Sequence, residues 1–392
     1  MRPFLASAES VTEGHPDKIC DQVSDAVLDA CLEQDPLARV AVETLVSGNT
    51  MVIAGEISTS AAVDAAAIAR RTIRGIGYTD PALGFDDRDC FILTSLRRQS
   101  PDIDLGVSGS GAAGGDLGAG DLGAGDQGVF YGYASDETDT LMPAPVHLAH
   151  RLAMRLAEAR KDGTLRWLRP DGKVQVTVMH DGNGRPRRLT SLVLSAQHDP
   201  SIGRAELVRG LVEAVICPVA GALIDAETRI LINPTGRFVL GGPAADTGLT
   251  GRKLMVDSYG GRARHGGGAF SGKDPTKVDR TAAYMARYVA RNVVAAGLAG
   301  RCEVALAYAI GQNHPEMVSV DTFGTENVDP DRLVTAIRDV FPLSVSGMIA
   351  TLDLRRPIFR KTAAYGHFGR ESEGFPWERS DRADMLRTAL GR

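Results

Sequence analysis

Apolar residues at 19, 23, 27 and 30 recur at near-helical spacing behind Pro16, and predict a helix from 16 to about 34. Pro16 suits the first helical position, which puts His15 near the N-cap and Asp17 and Lys18 in the first turn. Asp21, Asp25 and Asp29 fall on the opposite side and read as a solvated face. Alternation over 39–47 and 51–58, around Ser47-Gly48-Asn49, predicts a β-hairpin. An Ala-rich helix over 61–74 and a strand near 90–96 follow. Further on, a helix spans 145–160, a hairpin pairs 173–179 with 188–195 through D-G-N-G, and a helix covers 204–216. Residues 229–232 and 253–259 are strand-like. Asp274-Pro275 reads as an N-cap and first residue of a helix to about 296. A third hairpin pairs 302–310 with 317–322, a helix covers 330–340, and a plain helix closes the chain after about 380.

The order helix, hairpin, helix thus occurs three times, over 16–74, 145–216 and 275–340, although the residues barely repeat. The expectation is an α+β protein of three related subdomains in a pseudo-threefold arrangement, each a small sheet covered by helices. The boundaries expected are 1–101, 126–240 and 241–392, with a Gly-rich gating loop over 102–125.

Composition narrows the class. The 392 residues are 43% hydrophobic and 24% charged, as in ordinary globular proteins. A net charge of −5 offers no basic field for nucleic acid, so any polyphosphate site must come from local clustering. Five scattered cysteines without a C-x-x-C pair suggest reduced thiols. No apolar run approaches the roughly 18 residues of a membrane span, and the N-terminus lacks a signal peptide's apolar core. A soluble cytoplasmic protein is expected, with no membrane or nucleic-acid partner.

The densest chemistry lies in R-H-G-G-G-A-F-S-G-K-D-P-T-K-V-D at 264–279. Its glycines allow close backbone approach to a bulky ligand, and Lys273 and Lys277 flank the expected helix start. Free amides, the dipole and the lysines together suit a polyphosphate. Asp279 is a carboxylate able to hold a metal bridging the same phosphates. Residues 267–273 match G-x-x-x-x-G-K, but Asp274 stands where a P-loop needs Ser or Thr, and no strand leads directly into the loop. Residues 115–129 are a tandem repeat, G-D-L-G-A twice and then G-D-Q-G-V. Its G-x-G-x-x-G matches join no strand to a helix, so they are not dinucleotide fingerprints. Glu43 and Glu56 interrupt apolar strands and are either metal or ligand contacts or ordinary outward-facing residues. His15, Asp17, Lys173, Asp246, Arg252, Lys253, Lys273, Lys277 and Asp279 combine cations with carboxylates, and no nucleophile elbow, Cys/His dyad or zinc spacing accompanies them. The residues point to a magnesium-dependent enzyme acting on a nucleotide polyphosphate.

G-H-P-D-K at 14–18, G-A-G-D-Q-G at 123–128 and G-G-G-A-F-S-G-K-D at 266–274 resemble the signatures of the S-adenosylmethionine synthetases. N-P-T-G-R-F at 233–238, G-L-T-G-R-K at 248–253 and A-A-Y-G-H-F-G-R at 363–370 extend the likeness over nearly the whole chain. The resemblance implies synthesis of S-adenosylmethionine from ATP and L-methionine, then cleavage of the bound triphosphate. It implies a dimer with active sites between subunits, paired into a tetramer. It assigns His15, Lys173, Arg252 and Lys273 to catalysis at the triphosphate. Asp171, Lys173, Arg237, Phe238, Asp246, Arg252, Lys253, Ala269 and Lys273 would line the ATP site with His15. Glu56, Gln99, Asp126, Asp246 and Lys277 would bind methionine. Asp17 and Asp279 would each hold one of two Mg2+ ions, and Glu43 a K+. Two other readings remain: a different ATP user releasing ADP or AMP, or a non-catalytic member, which should have lost some of these lysines or carboxylates. One departure is the long, duplicated segment between Gln99 and Asp126, from which slow or loose closure of a gating loop is expected.

Overall fold

The computed structural model describes residues 2–98 and 122–392. Gln99 and most of the glycine repeat lie outside the described residues. The chain runs β1 (Phe4–Val11), α1 (Pro16–Gln34), β2 (Arg39–Ser47), β3 (Thr50–Ser58), α2 (Ala65–Ile76) and β4 (Phe91–Arg97). Then come β5 (Gly128–Ser135), α3 (Ala144–Lys161), β6 (Leu168–His180), β7 (Pro186–His198), α4 (Arg204–Leu211), β8 (Arg229–Ile232) and β9 (Gly248–Leu249). The last part holds α5 (Val278–Ala295), β10 (Arg301–Tyr308), β11 (Met317–Asp321), α6 (Pro330–Val340), α7 (Val345–Thr351) and α8 (Ala383–Ala389).

These strands form three small sheets, ordered β4-β3-β2-β9, β1-β6-β7-β8 and β11-β10-β5. Helices cover them, so the α+β expectation holds. Each sheet also takes a strand from another part of the chain. β1 lies along β6 from Phe4↔His180 to Val11↔Lys173. β5 pairs with β10 from Gly128↔Tyr308 to Ser135↔Arg301. β9 adds Gly248 and Leu249 to β2. One apolar core is shared by the first and last sheets with α1 and α5, while a second, under α3, belongs to the β1-β6-β7-β8 sheet.

The local signals explain where elements begin. The β2–β3 turn has two residues, with Gly48 at φ +55° as such a tight hairpin requires. The His15 side chain accepts the Asp17 amide and caps α1. Asp329 caps α6, with Pro330 in its first turn.

Three expectations are corrected. Residues 253–259 form a helical turn, Leu254–Asp257, because the chain must reverse into Gly260 and Gly261, both at positive φ. Asp274 does not cap α5. Its carboxylate accepts the amides of Thr276 (2.8 Å) and Val40 (2.7 Å), tying the loop to β2, and the helix starts only at Val278. Asp21, Asp25 and Asp29 do not form a solvated face: Asp21 and Asp25 are fully buried and Asp29 is half-buried against the Phe359 and Arg360 amides, since the helix is packed on both faces.

Candidate active site

One cluster gathers at the start of α1, where β9 runs alongside. His15 and Asp17 face the loop after β9, which carries Arg252 and Lys253. Lys253 Nζ lies 2.5 Å from Asp17 Oδ2, Arg252 Nε 3.8 Å from Asp17 Oδ1, and the Leu249 amide donates to Asp17 Oδ1 at 2.9 Å. Burial pushes the Asp17 carboxyl up, but Lys253 and the Leu249 amide outweigh it and hold it below its ordinary value. Burial, then the nearby Lys253, lowers His15 to about 4, with Lys173 adding to the effect and Asp17 and Asp246 opposing it. The ring is therefore neutral near pH 7. Because Nδ1 accepts the Asp17 amide at 3.2 Å, the proton sits on Nε2, which is free to donate to a phosphate oxygen.

The β6–β7 end adds to this cluster. Asp171 is buried and accepts the Gly242 amide at 2.8 Å, and burial raises its carboxyl to about 6. Lys173 reaches Glu9 of β1 at 2.7 Å. Phe238 is hydrogen-bonded to His198 through its amide (3.2 Å) and carbonyl (2.9 Å), with exposed Arg237 beside it. Asp246 is exposed, near enough to shift both His15 and Asp171.

A second cluster lies on the outer face of the β4-β3-β2-β9 sheet. Glu43, Glu56, Ala269 and Lys273 line a cavity of about 310 Å³ with Thr250. Glu43 and Glu56 thus face outward on the sheet. Lys273 Nζ lies 2.5 Å from Asp279 Oδ2, repeating the Lys253–Asp17 arrangement. Lys277 pairs with Asp274 at 2.5 Å. Gly266 and Gly268 make room for protein atoms, while Gly267, at φ +93°, has open space where a Cβ would stand. A Cβ on Gly266 would lie 1.8 Å from the Val129 carbonyl oxygen, and one on Gly268 2.1 Å from the Asp279 carboxylate. Exposed Asp126 stands just before β5, whose Val129 touches this loop. The two clusters meet where Gly251 abuts Ala269.

Among the described residues, no three His, Cys, Asp or Glu side chains converge as a ready metal cage. Asp17 and Asp279 each offer one hard oxygen donor beside a lysine. That donor set fits Mg2+, which is commonly held by one or two carboxylates, water and substrate phosphates.

Three family models match in sequence. The N-terminal domain of S-adenosylmethionine synthetase matches residues 3–101, the central domain 121–238 and the C-terminal domain 240–379. The chain belongs to the S-adenosylmethionine synthetase family. It is 70% identical over 391 residues to S-adenosylmethionine synthase 1 of Rhodospirillum rubrum, covering 100% of both chains. It is 68% identical over 386 residues to S-adenosylmethionine synthase 1 of Rhodopseudomonas palustris, covering 98% of each. It is 58% identical over 395 residues to S-adenosylmethionine synthase of Desulforudis audaxviator, covering 99% of each. The synthetase is a transferase that makes S-adenosylmethionine from ATP and L-methionine, and its family depends on metal ions. Among the described residues, no single helix is long and apolar enough to cross a membrane.

The sequence reading missed Asp21, Asp25 and Lys18 as part of this region. A signal for the acids is present: they stand at every fourth position of a helix whose intervening residues, Lys18 and Gln22 apart, are apolar or small.

Proposed function

We propose that the thioether sulfur of methionine attacks C5′ of ATP, that the C5′–O bond breaks with its electrons on triphosphate, and that the bound triphosphate is then hydrolysed to pyrophosphate and phosphate. The sulfur has no proton, so no general base is required. The barrier lies in alignment and in charge developing on the leaving oxygen. His15, Lys173, Arg252 and Lys273 are the groups assigned to that charge. Asp171, Arg237, Phe238, Asp246, Lys253 and Ala269 complete the ATP site. Glu56, Gln99, Asp126, Asp246 and Lys277 take methionine.

One observation carries this reading: both proposed metal carboxylates are neutralised by a lysine at 2.5 Å, Asp17 by Lys253 and Asp279 by Lys273. Triphosphate oxygens draw the lysines, which frees each carboxylate for a cation. Two Mg2+ ions, held by Asp17 and Asp279, would supply further neutralisation of the leaving group. Glu43 would hold K+.

A dimer closing the site is supported by the outer face of the β4-β3-β2-β9 sheet. Phe91 (62%), Leu93 (49%) and Leu45 (38%) are exposed there beside the cavity of Glu43 and Glu56. Pairing of dimers into a tetramer is proposed from the resemblance alone. A cytoplasmic location fits the five free cysteines.

A mass-resolved product assay with ATP, methionine, Mg2+ and K+ tests the reaction. S-adenosylmethionine with equal pyrophosphate and phosphate is expected. ADP or AMP as product overturns the reading, and phosphate release without S-adenosylmethionine overturns the proposed sulfur alignment.

A further inference from the structure

Four acids stand at every fourth position of α1, and each accepts backbone amides from a segment distant in sequence: Asp17 and Asp21 from β9 and the loop after it, Asp25 and Asp29 from two further loops. Asp17 takes Leu249 (2.9 Å), Asp21 takes Gly251 (2.8 Å) and Asp25 takes Gly272 (2.8 Å), while Asp29 takes Phe359 and Arg360 (both 2.9 Å). The middle two amides matter most. Gly251 precedes Arg252 and Lys253, and Gly272 precedes Lys273. Asp25 is also joined in two hydrogen bonds to buried Arg280 (2.7 and 2.8 Å), and Arg280 donates to the Lys273 carbonyl at 3.2 Å. Lys273 is thus held from both sides of its own backbone. Ser24, between these rungs, bonds the Thr44 and Thr250 hydroxyls at 2.9 Å each.

Neither loop has room for a side chain at these glycines. Gly251 and Gly272 have φ of +78° and +80°. A Cβ on Gly251 would lie 2.5 Å from the Ala269 Cβ, and one on Gly272 would lie 1.9 Å from the Val42 carbonyl oxygen. Two independent features, buried acceptors and obligatory glycines, therefore fix the same two loops.

We propose that Asp21 and Asp25 are positioning residues: their buried carboxylates clamp the Gly251 and Gly272 amides and thereby set where Arg252, Lys253 and Lys273 stand. The inference rests on the reading that these cations serve the triphosphate. Hydrogen bonds from backbone amides to a buried side-chain oxygen are directional, which suits them to holding a loop in register. An apolar stripe would bury α1 equally well without fixing the loops. A misplacement of about 1 Å is enough to cost on the order of 100-fold in rate.

Asp21 offers the cleaner test. Buried Lys18 is shared between Asp21 (3.0 Å) and Asp257, so one carboxylate is in excess. Asp21→Asn leaves a matched Lys18–Asp257 pair and an amide oxygen still able to accept from Gly251. Asp21→Ala removes the acceptor. Steady-state kinetics on the full-length enzyme should show kcat reduced about 10- to 100-fold in Asp21→Ala, methionine KM within about threefold, and most of the loss recovered in Asp21→Asn. Hydrogen exchange of the 249–253 segment in the ligand-free enzyme should quicken in Asp21→Ala and not in Asp21→Asn. Equal kinetics in the two variants, or unchanged exchange, overturns the proposal. Asp21→Ser, whose hydroxyl is too short to reach Gly251, takes the place of alanine if that variant does not fold. The exchange result stands whatever the products of the wild-type assay, so failure of the clamp and failure of the triphosphate reading are separable.

Discussion

At the scale of single residues, geometry around Asp279 gives the sharpest expectation. Gly268 has no room for a Cβ, because the Asp279 carboxylate oxygen would lie 2.1 Å away. Gly268→Ala should push Asp279 off its present position without touching a core residue. A fall of about 100-fold in kcat is expected, the size associated with losing one well-placed electrostatic group, together with a raised Mg2+ requirement. Titration of the rate against Mg2+ checks it, and an unchanged half-saturating Mg2+ concentration counts against Asp279 as a metal ligand. The two lysines make a parallel case. Lys253→Met removes the partner of Asp17, and Lys273→Met that of Asp279. Each should lower kcat/KM for ATP by about 100-fold or more while the enzyme stays folded. A loss in only one would mean that the two pairs are not equivalent parts of one triphosphate site.

At the scale of elements, helices and hairpins were legible where one side meets water. The β2–β3 hairpin, α3 and α6 all stand within a residue or so of their expected limits, because alternation or a proline in the first helical turn marked them. α1 was found by its apolar spacing but misread on its second face. Asp21 and Asp25 look like solvent-exposed acids in sequence, and only the fold brings Gly251 and Gly272 against them. Asp274 misled for the same reason, since its carboxylate is taken by Val40, which is distant in sequence. The site residues were readable as motifs, but the Asp17–Lys253 pairing was not, because it joins α1 to a loop more than 200 residues away. The outer sheet face carries its own prediction. Thr50, Val52 and Ala54 of β3 stand opposite Phe91, Leu93 and Ser95 of β4, which makes a continuous surface. Leu93→Lys replaces an apolar side chain once in each protomer. At about 1.5–3 kcal/mol per buried side chain, two copies weaken a dimer by about 3–6 kcal/mol. Sedimentation should show dissociation, and specific activity should fall on dilution. A dimer unaffected by Leu93→Lys excludes this face as the interface.

At the scale of the whole molecule, buried titrating groups oppose one another. His15 and His147 are lowered to about 4 and His150 to about 3, and His265 and His367 are lowered as well, each chiefly by burial. Burial likewise raises Asp21 and Asp29 to about 7 and Asp171 to about 6, and raises Asp257 as well. As pH falls below about 6.5, the unfolded chain protonates its histidines before the folded one does, which costs stability. Over the same range the folded chain protonates the raised aspartates first, which restores it. Five histidines act in one direction and four aspartates in the other, so the two effects offset and stability should change far less between about pH 6.5 and 4.5 than either set alone would give. Below about 3.8 the aspartate gain is complete, and protonation of carboxylates held low, such as Asp17 and Glu137, should bring a steep loss. His150 offers a way to disturb this balance, since it is none of the residues assigned to ATP, methionine or metal and bonds Ser10 at 2.8 Å. His150→Gln keeps a polar partner for Ser10 and removes one opposing titration. Relative to wild type, its unfolding free energy should gain about 2 kcal/mol on going from pH 8 to pH 5, from 1.5 pH units at about 1.4 kcal/mol each. Urea unfolding at the two pH values measures this directly. Parallel changes in variant and wild type would mean that His150 takes up its proton in the folded chain as readily as in the unfolded one, and the offset between histidines and aspartates would fall with it.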